Sequence, residues 1–342
     1  VDRIEFDDIN LVQNNQFRNN TASPIIPTHE LKTQYKYNSL NQLVWQKTPD
    51  GGISVFAYDD LGRIIASQNA KQSNENPYKD FSYTRYDGLG RILEAGEIED
   101  NTSLYSITDK GELLYNGSKV NNFDVTYESM RRKEVTRTTY DDRILVEETN
   151  SIALYSSDLF TSNYIPFNSI NRVTAVSYYD EIPPNKAPKF DNALFYNYDV
   201  HGNVKELVTY ITELKLPNCE EQVDILDCEA HIKRVHYTYD LISGNVNRVT
   251  FQPEKPDQFI HKYEYDADNR IVSAYTSKDG NVWEQDANYK YYEHGPLARV
   301  EIGDKKVQGT DYIYILQGWL KSVNGESLAD ASNDFGYDGT GS

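Results

Sequence analysis

A short pattern built on the dipeptide Tyr-Asp recurs along the chain, and it constrains the fold more than any other feature of the sequence. In each copy an aromatic residue and Tyr-Asp precede a short spacer, a Gly or Asn, a basic residue or Asn, and then aliphatic residues. Uneven spacing between copies is what loop insertions would produce in a repeat protein. The residues that define the five close copies are Tyr58, Asp59, Gly62 and Arg63; Tyr86, Asp87, Gly90 and Arg91; Tyr198, Asp199, Gly202 and Asn203; Tyr239, Asp240 and Gly244; and Tyr265, Asp266, Asn269 and Arg270.

Looser copies extend the pattern beyond these five. Between residues 98 and 167 the pattern fades, although residues 135–140 and 144–146 keep the composition of strands. We therefore predict β structure there as well. The looser copies lie at residues 35–43, 138–141, 178–180 and 289–292.

Each copy predicts a β-hairpin. Side chains alternate along a strand, so an aromatic residue two positions before the repeat tyrosine places both rings on one face. The aspartate then opens a turn by accepting hydrogen bonds from backbone amides ahead of it. The Gly or Asn that follows tolerates the positive φ that the turn needs. Aliphatic residues such as Ile64 and Val204 suit the return strand.

The hairpins are expected to depend on their neighbours. A single hairpin is marginally stable in water, so successive hairpins should pair edge to edge and stack their rings. Tyrosine suits such a wall because its ring packs on one side and its hydroxyl stays wet; the chain has 28 Tyr against 12 Phe and 3 Trp. Strands twist with one hand, so a long row of hairpins curls. The predicted fold class is all-β, with tandem hairpins in a long, curved, spiralling antiparallel sheet that forms part of a shell wall.

The charge of the chain excludes one class of partner. The 34 Lys and Arg against 53 Asp and Glu give a formal net charge of -19, which repels phosphate backbones. We therefore expect no nucleic-acid partner. The sequence shows neither the ~18 uninterrupted apolar residues of a membrane helix nor a charged-then-apolar leader at its start, so we also expect no membrane span, while export stays open.

The repeats resemble those of bacterial RHS/YD-repeat proteins, which are related in architecture to the shell subunits of insecticidal toxin complexes and to the YD shell of teneurins. In that family the repeats wind into a hollow cocoon around a C-terminal toxin domain, so the resemblance implies a wall-building role here. Family shells close with an aspartate-based self-cleavage motif and a Gly-Arg-Phe plug, and nothing after Trp319 matches them. The resemblance covers residues 35–337 and is carried by the Tyr-Asp copies and by residues 37–43, 48–52, 67–72, 294–300 and 316–321.

The predicted organisation has three parts. Residues 1–33 lack the repeat and contain Pro24 and Pro27, so they are expected to lead into the repeats without forming a long strand. Residues 34–337 are predicted to be a single continuous repeat region. Residues 338–342 are small and polar, which is typical of a flexible tail or a cloning scar.

Cys219 and Cys228 are the only cysteines of the chain, and they flank what is predicted to be a long loop. In an exported protein such a pair indicates a disulfide that clamps the loop. Two alternatives stay open, namely two free thiols and a zinc site formed by Cys228, His231 and His236. The two histidines are five positions apart and would face opposite sides of one strand, which disfavours zinc.

Motifs for catalysis or cofactor binding are absent from the sequence. Most aspartates occupy the turn position of a repeat, so they are expected to be structural instead of forming a glycosidase pair. Asp266, Asp268 and Asn269 resemble the start of a calcium loop, but the glycine and the closing glutamate are missing at the required offsets. We therefore expect no enzyme activity, no cofactor and no metal.

The leading hypothesis is a non-catalytic shell segment of a large exported RHS-repeat protein, located outside the cell or at its surface. Its expected partners are the rest of its own shell, an enclosed C-terminal effector, and export machinery such as a type IX system. The alternative hypothesis is an adhesin or carbohydrate-binding surface, in which Trp45, Trp283 and Trp319 stack on sugars.

Overall fold

The computed structural model describes residues 32–74, 79–124, 126–141, 145–147, 153–155, 168–186, 190–211 and 232–324. One short helix, α1 (Ala70–Ser73), and one 3-10 turn (Tyr127–Ser129) accompany the strands of these residues. The strands are β1 (Gln34–Tyr37), β2 (Leu43–Thr48), β3 (Gly52–Tyr58), β4 (Ile64–Gln68), β5 (Lys79–Tyr86), β6 (Ile92–Asp100), β7 (Tyr105–Ile107), β8 (Leu113–Tyr115), β9 (Ser118–Val120), β10 (Arg131–Tyr140), β11 (Leu145–Glu147), β12 (Ala153–Tyr155), β13 (Val173–Ile182), β14 (Asn192–Tyr198), β15 (Val204–Ile211), β16 (Ile232–Tyr239), β17 (Val246–Phe251), β18 (Phe259–Tyr265), β19 (Ile271–Ser277), β20 (Glu284–Tyr291), β21 (Leu297–Ile302), β22 (Gln308–Tyr314) and β23 (Leu320–Val323).

The strands assemble mainly into one long antiparallel sheet of 18 strands, which confirms the predicted all-β class. The chain divides into two compact units, of which the first comprises Val1–Tyr155 and Val173–Ala193 and the second Ser156–Arg172 and Leu194–Ser342. In the first unit the paired order is β1, β2, β3, β4, β5, β6, β10 and β13. In the second unit β15 to β23 pair in chain order. The proposed boundaries at residues 33 and 337 stay predictions.

The Tyr-Asp turns join consecutive strands into hairpins. The repeat tyrosine pairs with the first residue of the return strand, as Tyr58 does with Ile64 and Tyr265 with Ile271. The register then shifts by one, so the second residue of the return strand bulges out of the ladder and increases the local twist. In the described hairpins this bulge falls at Val44, Ile65, Leu93, Asn247, Val272, Ala298 and Lys321.

Each of these turns contains a residue in the left-handed region. Gly62 and Gly90 have φ of 80° and 83°, and Gly202 has φ of 94°. Asn269 takes the same position with φ of 61°, which asparagine tolerates better than most residues. The turn of the fourth close copy is one residue longer, and there the position is held by Gly244, with φ of 74°.

A small second layer covers part of the sheet in the first unit. Residues between β6 and β10 form the three-stranded sheet of β7, β8 and β9, followed by the 3-10 turn. Leu113, Phe123 and Met130 from this layer are buried in one cluster with Phe81 and Ile98 of the large sheet. The layer gives the first unit a true hydrophobic core, which the repeats alone do not provide.

The region in which the pattern fades is also β structure. Residues 135–140 fall in β10, and the segment predicted at 144–146 overlaps β11, so both strand predictions are confirmed. Within the described residues, no helix has the length and apolarity that crossing a membrane would take.

Two of the looser copies differ from the predicted hairpin. Residues 178–180 lie inside β13 and form no turn, because Pro183 stands where the repeat needs a residue with positive φ. Tyr140 pairs with Val173 of β13, so the two strands of its hairpin are separated by about thirty residues of sequence and not by a tight turn.

The positive φ of the turn glycine gives a test of the local fold. Gly90→Ala is expected to lower the free energy of unfolding by about 1 kcal/mol, because an L side chain is strained at φ of 83°. The added Cβ would meet only Nη1 of Arg63, at 3.5 Å, so backbone strain and not a clash determines the loss. The measurement is urea unfolding of the variant and the parent protein.

Gly88→Ala, two residues earlier in the same turn, is the matched control. Its Cβ would meet nothing within 4 Å and its φ lies outside the left-handed region, so stability should stay equal or rise slightly. Gly90→Asn should recover much of the loss, since Asn269 occupies the equivalent position. Equal unfolding midpoints for the two alanine variants would contradict this account of the turn.

Candidate functional site

The aspartate of each repeat stabilises its turn by accepting hydrogen bonds from other residues of the same turn. Oδ1 of Asp59 accepts hydrogen bonds from the backbone amides of Leu61 at 3.0 Å and Arg63 at 2.8 Å. Oδ2 accepts from Nε of Arg63 at 2.7 Å. The backbone closes the same turn, since the amide of Asp59 donates to the carbonyl oxygen of Arg63 and the amide of Gly62 to that of Asp59. One carboxylate therefore satisfies several turn donors at once.

Two further copies repeat this arrangement bond for bond. Asp87 binds Leu89 and Arg91 through the same backbone amides, and its Oδ2 accepts from Nε of Arg91 at 2.6 Å. Asp266 and Arg270 do likewise, with Nε at 2.7 Å from Oδ2. The basic residue of the repeat is thus the turn's own counterion.

The remaining close copies replace the arginine. Asp199 accepts the backbone amide of Asn203 at 2.9 Å and its side-chain Nδ2 at 3.0 Å, so the amide takes the role of the guanidinium. In the longer turn, Asp240 accepts from both the backbone amide and the hydroxyl of Ser243. The aspartate is common to all five turns, whereas its side-chain donor varies.

The repeat tyrosines fasten neighbouring hairpins to one another. The hydroxyl of Tyr86 donates at 2.9 Å to the carbonyl oxygen of Ile64, the residue that opens the return strand of the preceding hairpin. This bond joins two repeats at a position next to the bulge, where the ladder is interrupted. The equivalent bonds run from Tyr58 to Leu43, Tyr239 to Val204, Tyr265 to Val246, and Tyr291 to Ile271.

The turn arginine crosses the same boundary. The guanidinium of Arg63, held by Asp59, lies 4.5 Å from the ring centroid of Tyr86 in the next repeat. Arg270 stands in the same relation to Tyr291, at 4.6 Å. Such cation–π contacts are worth about 0.5–1 kcal/mol at partly exposed sites. Aspartate, arginine and the next tyrosine therefore form a chain of contacts from one hairpin to its neighbour.

The titration properties of these groups fit their roles. Burial raises the pKa of the Tyr86 and Tyr265 hydroxyls, so they stay protonated donors well above neutral pH. Burial also acts to raise the pKa of Asp59, but the amide and guanidinium of Arg63 outweigh it, and the pKa lies below its ordinary value. The pKa of Asp266 is lowered mainly by the backbone amide of Arg270.

Turns of the same geometry also occur without an aspartate, and these were missed from the sequence. Thr108 Oγ1 accepts the amide of Glu112 at 3.1 Å, and Gly111 has φ of 79°. At Ile315 the backbone alone closes the turn, and Gly318 has φ of 84°. Their sequence signal is the glycine three residues after the turn-opening position, which occurs here without a Tyr-Asp dipeptide.

A buried ionic cluster lies in the first unit, outside the repeat pattern. Glu94, only 4% exposed, accepts hydrogen bonds from the hydroxyls of Tyr83 and Tyr127 and from Nε of Arg137 at 2.6 Å. Burial raises the pKa of Glu94, but Arg137 and the two hydroxyls outweigh it and keep the carboxylate ionised. Arg132 lies 4.0 Å from the ring of Tyr127 and is also buried. The cluster ties the second layer to β5, β6 and β10.

The cysteine pair predicted to form a disulfide, Cys219 and Cys228, lies outside the described residues, as does His231. Nε2 of His236 lies 2.9 Å from Oε1 of Glu206 on the neighbouring strand. Across the ranges that the structure describes, no group of three or more His, Cys, Asp or Glu is placed to hold a metal ion.

The residues that resemble a calcium loop serve a different purpose. Asp266 and Asp268 both face Arg270, at 2.7 Å and 3.2 Å from its Nη2. Asn269 provides the positive φ of the turn. The guanidinium of Arg270 therefore lies between these two carboxylates, at the position where a calcium ion would have to bind.

The three tryptophans have different surroundings. Trp45 in the first unit has Nζ of Lys36 at 4.8 Å from its ring. Trp319 in the second unit is 73% exposed. Trp283, also in the second unit, donates through Nε1 to the carbonyl oxygen of Gly280 at 3.1 Å. Trp283 also lines a depression of the surface.

Comparison with known proteins identifies a fold relationship. No family profile and no curated protein matches the sequence. Among solved structures, the crystal structure of TcdB2-TccC3-TEV matches with a TM-score of 0.50 and 14% identity over 91% of this chain and 12% of that chain. The crystal structure of TcdB2-TccC3 without its hypervariable C-terminal region matches with a TM-score of 0.49 and 13% identity over 93% of this chain and 13% of that one.

A third match is the Photorhabdus luminescens Tc holotoxin pore with a TccC3 mutation, at a TM-score of 0.38 and 14% identity, covering 91% of this chain and 15% of that chain. The chain spans about an eighth of the length of the first two structures it matches. At this identity the similarity to TcdB2-TccC3-TEV establishes a shared β fold.

The bond between neighbouring hairpins gives a direct test. Tyr86→Phe removes the hydroxyl that donates to Ile64 and is expected to lower the free energy of unfolding by about 1 kcal/mol. Tyr37→Phe is the matched control, because Tyr37 holds the same position in the first hairpin but its half-exposed hydroxyl makes no hydrogen bond in the described structure. Denaturant unfolding should therefore leave Tyr37→Phe equal to the parent. The same loss in both variants would contradict the role of the hydroxyl.

The lowered pKa values of the turn aspartates predict acid sensitivity. For Asp59, Asp87 and Asp266 the folded-state pKa lies below the ordinary value of 3.8, so the ionised carboxylates stabilise the folded state above that pH. This contribution is lost as the pH falls through the lowered pKa values. The measurement is the melting temperature followed from about pH 7 to about pH 3.

A variant with all three aspartates changed to asparagine isolates the effect. Asparagine keeps the acceptor of the turn, as Asn38 does when it accepts the amides of Leu40 and Gln42. The variant should therefore fold, with a lower melting temperature than the parent near neutral pH, and the difference should shrink towards low pH. A difference that stays constant with pH would rule out the ionised carboxylates as its source.

Proposed function

We propose that this chain is a non-catalytic wall segment of an RHS/YD-type protein shell that encloses a polypeptide cargo. The observation that carries the proposal is the recurring bond from a repeat tyrosine to the carbonyl oxygen of the preceding hairpin, as between Tyr239 and Val204. Through these bonds each hairpin is stabilised by its neighbours in the row. Stabilisation between nearest neighbours is typical of an extended repeat sheet, whereas a compact globular domain is stabilised by a common core.

The burial of β17 and β18 in the second unit supports a thin wall in that part of the sheet, whereas β15 buries alternate residues. All six residues of β17 are partly exposed, and in β18 only Ile260 is fully buried. A sheet that covers a solid core would bury one whole face. Partly exposed residues on both faces, rich in tyrosine, fit a single layer between two wet surfaces.

The outer strands leave room for the wall to continue. Within the described residues, β1 pairs only with β2 and β23 pairs only with β22. A free edge presents backbone donors and acceptors that another strand can take up. We propose that further repeats of the same protein supply these strands.

The nature and location of the complete protein are part of the proposal. The fold similarity to TcdB2-TccC3-TEV is in keeping with a shell architecture. An effector as cargo, and export to the cell surface or beyond by a system such as type IX, follow from the resemblance to RHS/YD proteins. The net charge of -19 would favour a cationic cargo and would make its retention sensitive to salt.

Protease protection in the full-length protein tests the proposal. In the protein with an intact wall, the cargo should resist a protease that digests it readily after denaturation. A variant carrying Tyr58→Phe, Tyr86→Phe, Tyr239→Phe and Tyr265→Phe loses four bonds between hairpins and should expose the cargo. Mass spectrometry of the fragments over time identifies which segment is cut first.

Tyr314→Phe is the control here, because Tyr314 pairs with Leu320, the first residue of its return strand, and its hydroxyl makes no hydrogen bond among the described residues, so the cargo should stay protected. A full-length protein in which the cargo segment is digested as fast in the native state as after denaturation would refute enclosure. Hydrolysis of a defined substrate by this chain alone would refute the non-catalytic role.

A further inference from the structure

Arg248 differs from most arginines of the described structure because no carboxylate holds it. Arg63, Arg270 and Arg299 each bind a carboxylate at 2.7 Å or closer. The guanidinium of Arg248 makes no hydrogen bond or ion pair among the described residues, and its Nε atom is shielded from solvent without a partner. The two Nη atoms are not shielded in this way, so a ligand with an anionic group could bind the guanidinium through them.

The surroundings of Arg248 form an open depression of about 960 Å³ on the second unit. Arg248 stands on β17 between its cross-strand partners, Thr238 of β16 and Lys262 of β18. The ring centroid of Trp283 lies 5.8 Å from the guanidinium and 6.0 Å from Nζ of Lys262. The bulge residue Asn247 lines the same depression, and its side-chain amide makes no hydrogen bond in the described structure.

The tryptophan is held in place without a ligand. Nε1 of Trp283 donates to the carbonyl oxygen of Gly280, whose own amide donates to Oγ of Ser277 at 2.9 Å. Oδ1 of Asp279 accepts the amide of Val282 at 3.0 Å in the same loop. Because these bonds fix the loop, the aromatic surface is preorganised, and binding would not have to order it.

Among the described residues, Arg248 is the cation of this depression that has no carboxylate partner. Three carboxylates also line it, but Glu264 is paired with Lys262, Asp266 with Arg270, and Asp240 accepts hydrogen bonds from Ser243. Arg248 and Lys262 are directly opposite each other on neighbouring strands, an arrangement that is unfavourable for like charges. Glu264 neutralises Lys262 at 2.7 Å, which leaves the charge of Arg248 uncompensated. A carboxylate bound to the Nη atoms of Arg248 would offset the repulsion between Arg248 and Lys262.

We propose that this depression binds an acidic saccharide. A hexuronate unit would place its carboxylate on the fork of Arg248 and pack its ring against Trp283. Asn247 and Thr238 stand where they can meet sugar hydroxyls. The site would give the wall a binding function on its surface, independent of any enclosed cargo.

The position of the depression argues against an extended peptide as the ligand. Strand β17 is paired with β16 and β18, and β18 is paired with β17 and β19, so neither offers a free edge to a peptide backbone. A ligand must therefore be recognised by side chains alone. An aromatic ring beside an arginine and an amide suits an acidic sugar, which combines an apolar ring face with a carboxylate and hydroxyls.

Isothermal titration calorimetry of the chain with an oligogalacturonate tests the proposal, with a neutral oligogalactoside of equal length as the matched ligand. Only the acidic ligand should bind, and its affinity should fall with added salt. Arg248→Gln and Trp283→Ala should each weaken binding about tenfold or more. Arg131→Gln is the control, since Arg131 is an exposed arginine of the first unit that pairs with Glu181.

Loss of binding can be separated from loss of folding. Arg248→Gln removes the repulsion with Lys262 and, among the described residues, only one long contact, 5.8 Å to the ring of Trp283, so the melting temperature should change little. Absence of binding at millimolar oligogalacturonate, unchanged affinity in Arg248→Gln, or equal affinity for the neutral ligand would each overturn the proposal. Binding of a glutamate-rich peptide in place of the saccharide would overturn the ligand class. None of these results depends on whether the wall encloses a cargo.

Discussion

The tyrosine hydroxyl that reaches back to the preceding hairpin is the interaction on which the rest of the sheet depends. A two-stranded hairpin buries too little surface to be stable alone, so each repeat needs a bond that only its neighbour can complete. The acceptor is the first residue of the return strand, as Ile64 is for Tyr86, and it directly precedes the bulged residue. Sheet pairing and tyrosine bonding therefore act at the same boundary, and stability is shared along the row of hairpins.

The Asp-Arg pair belongs to the turn but also acts on the next repeat. Asp59 orients Arg63, and the oriented guanidinium lies against the ring of Tyr86. The turn itself can therefore form without the aspartate, because the contact with the neighbouring ring is a separate role. Thr108 and Ile315 open turns of the same shape, because backbone bonds and a residue with positive φ suffice to close them. Such turns lack the carboxylate that, in the other repeats, orients an arginine against the tyrosine ring of the next repeat.

Two groups of residues outside the repeat give the sheet features that a plain row of hairpins lacks. Glu94 gathers two tyrosines and two arginines beneath the second layer, where a carboxylate needs several partners to stay buried and ionised. Arg248 represents the opposite case, a cation left without a carboxylate beside Trp283. In the first group the cations lie close to the carboxylate of Glu94, whereas Arg248 has no carboxylate partner among the described residues and borders an open depression, and this difference is the basis for assigning a ligand site to Arg248.

The sequence by itself determined the local chemistry, because Tyr86, Asp87, Gly90 and Arg91 act within one turn and their roles follow from side-chain reach and allowed φ. The same reasoning identified the all-β class and the tandem hairpins. It failed at residues 178–180, where a Tyr-Asp pair lies inside β13 because the positive-φ residue is missing. Only the tertiary structure decided that Glu94 meets Tyr127, and that Arg248 lies beside Trp283 without a carboxylate. These contacts depend on which strands and loops become neighbours in space, and the distance between residues along the chain does not encode that.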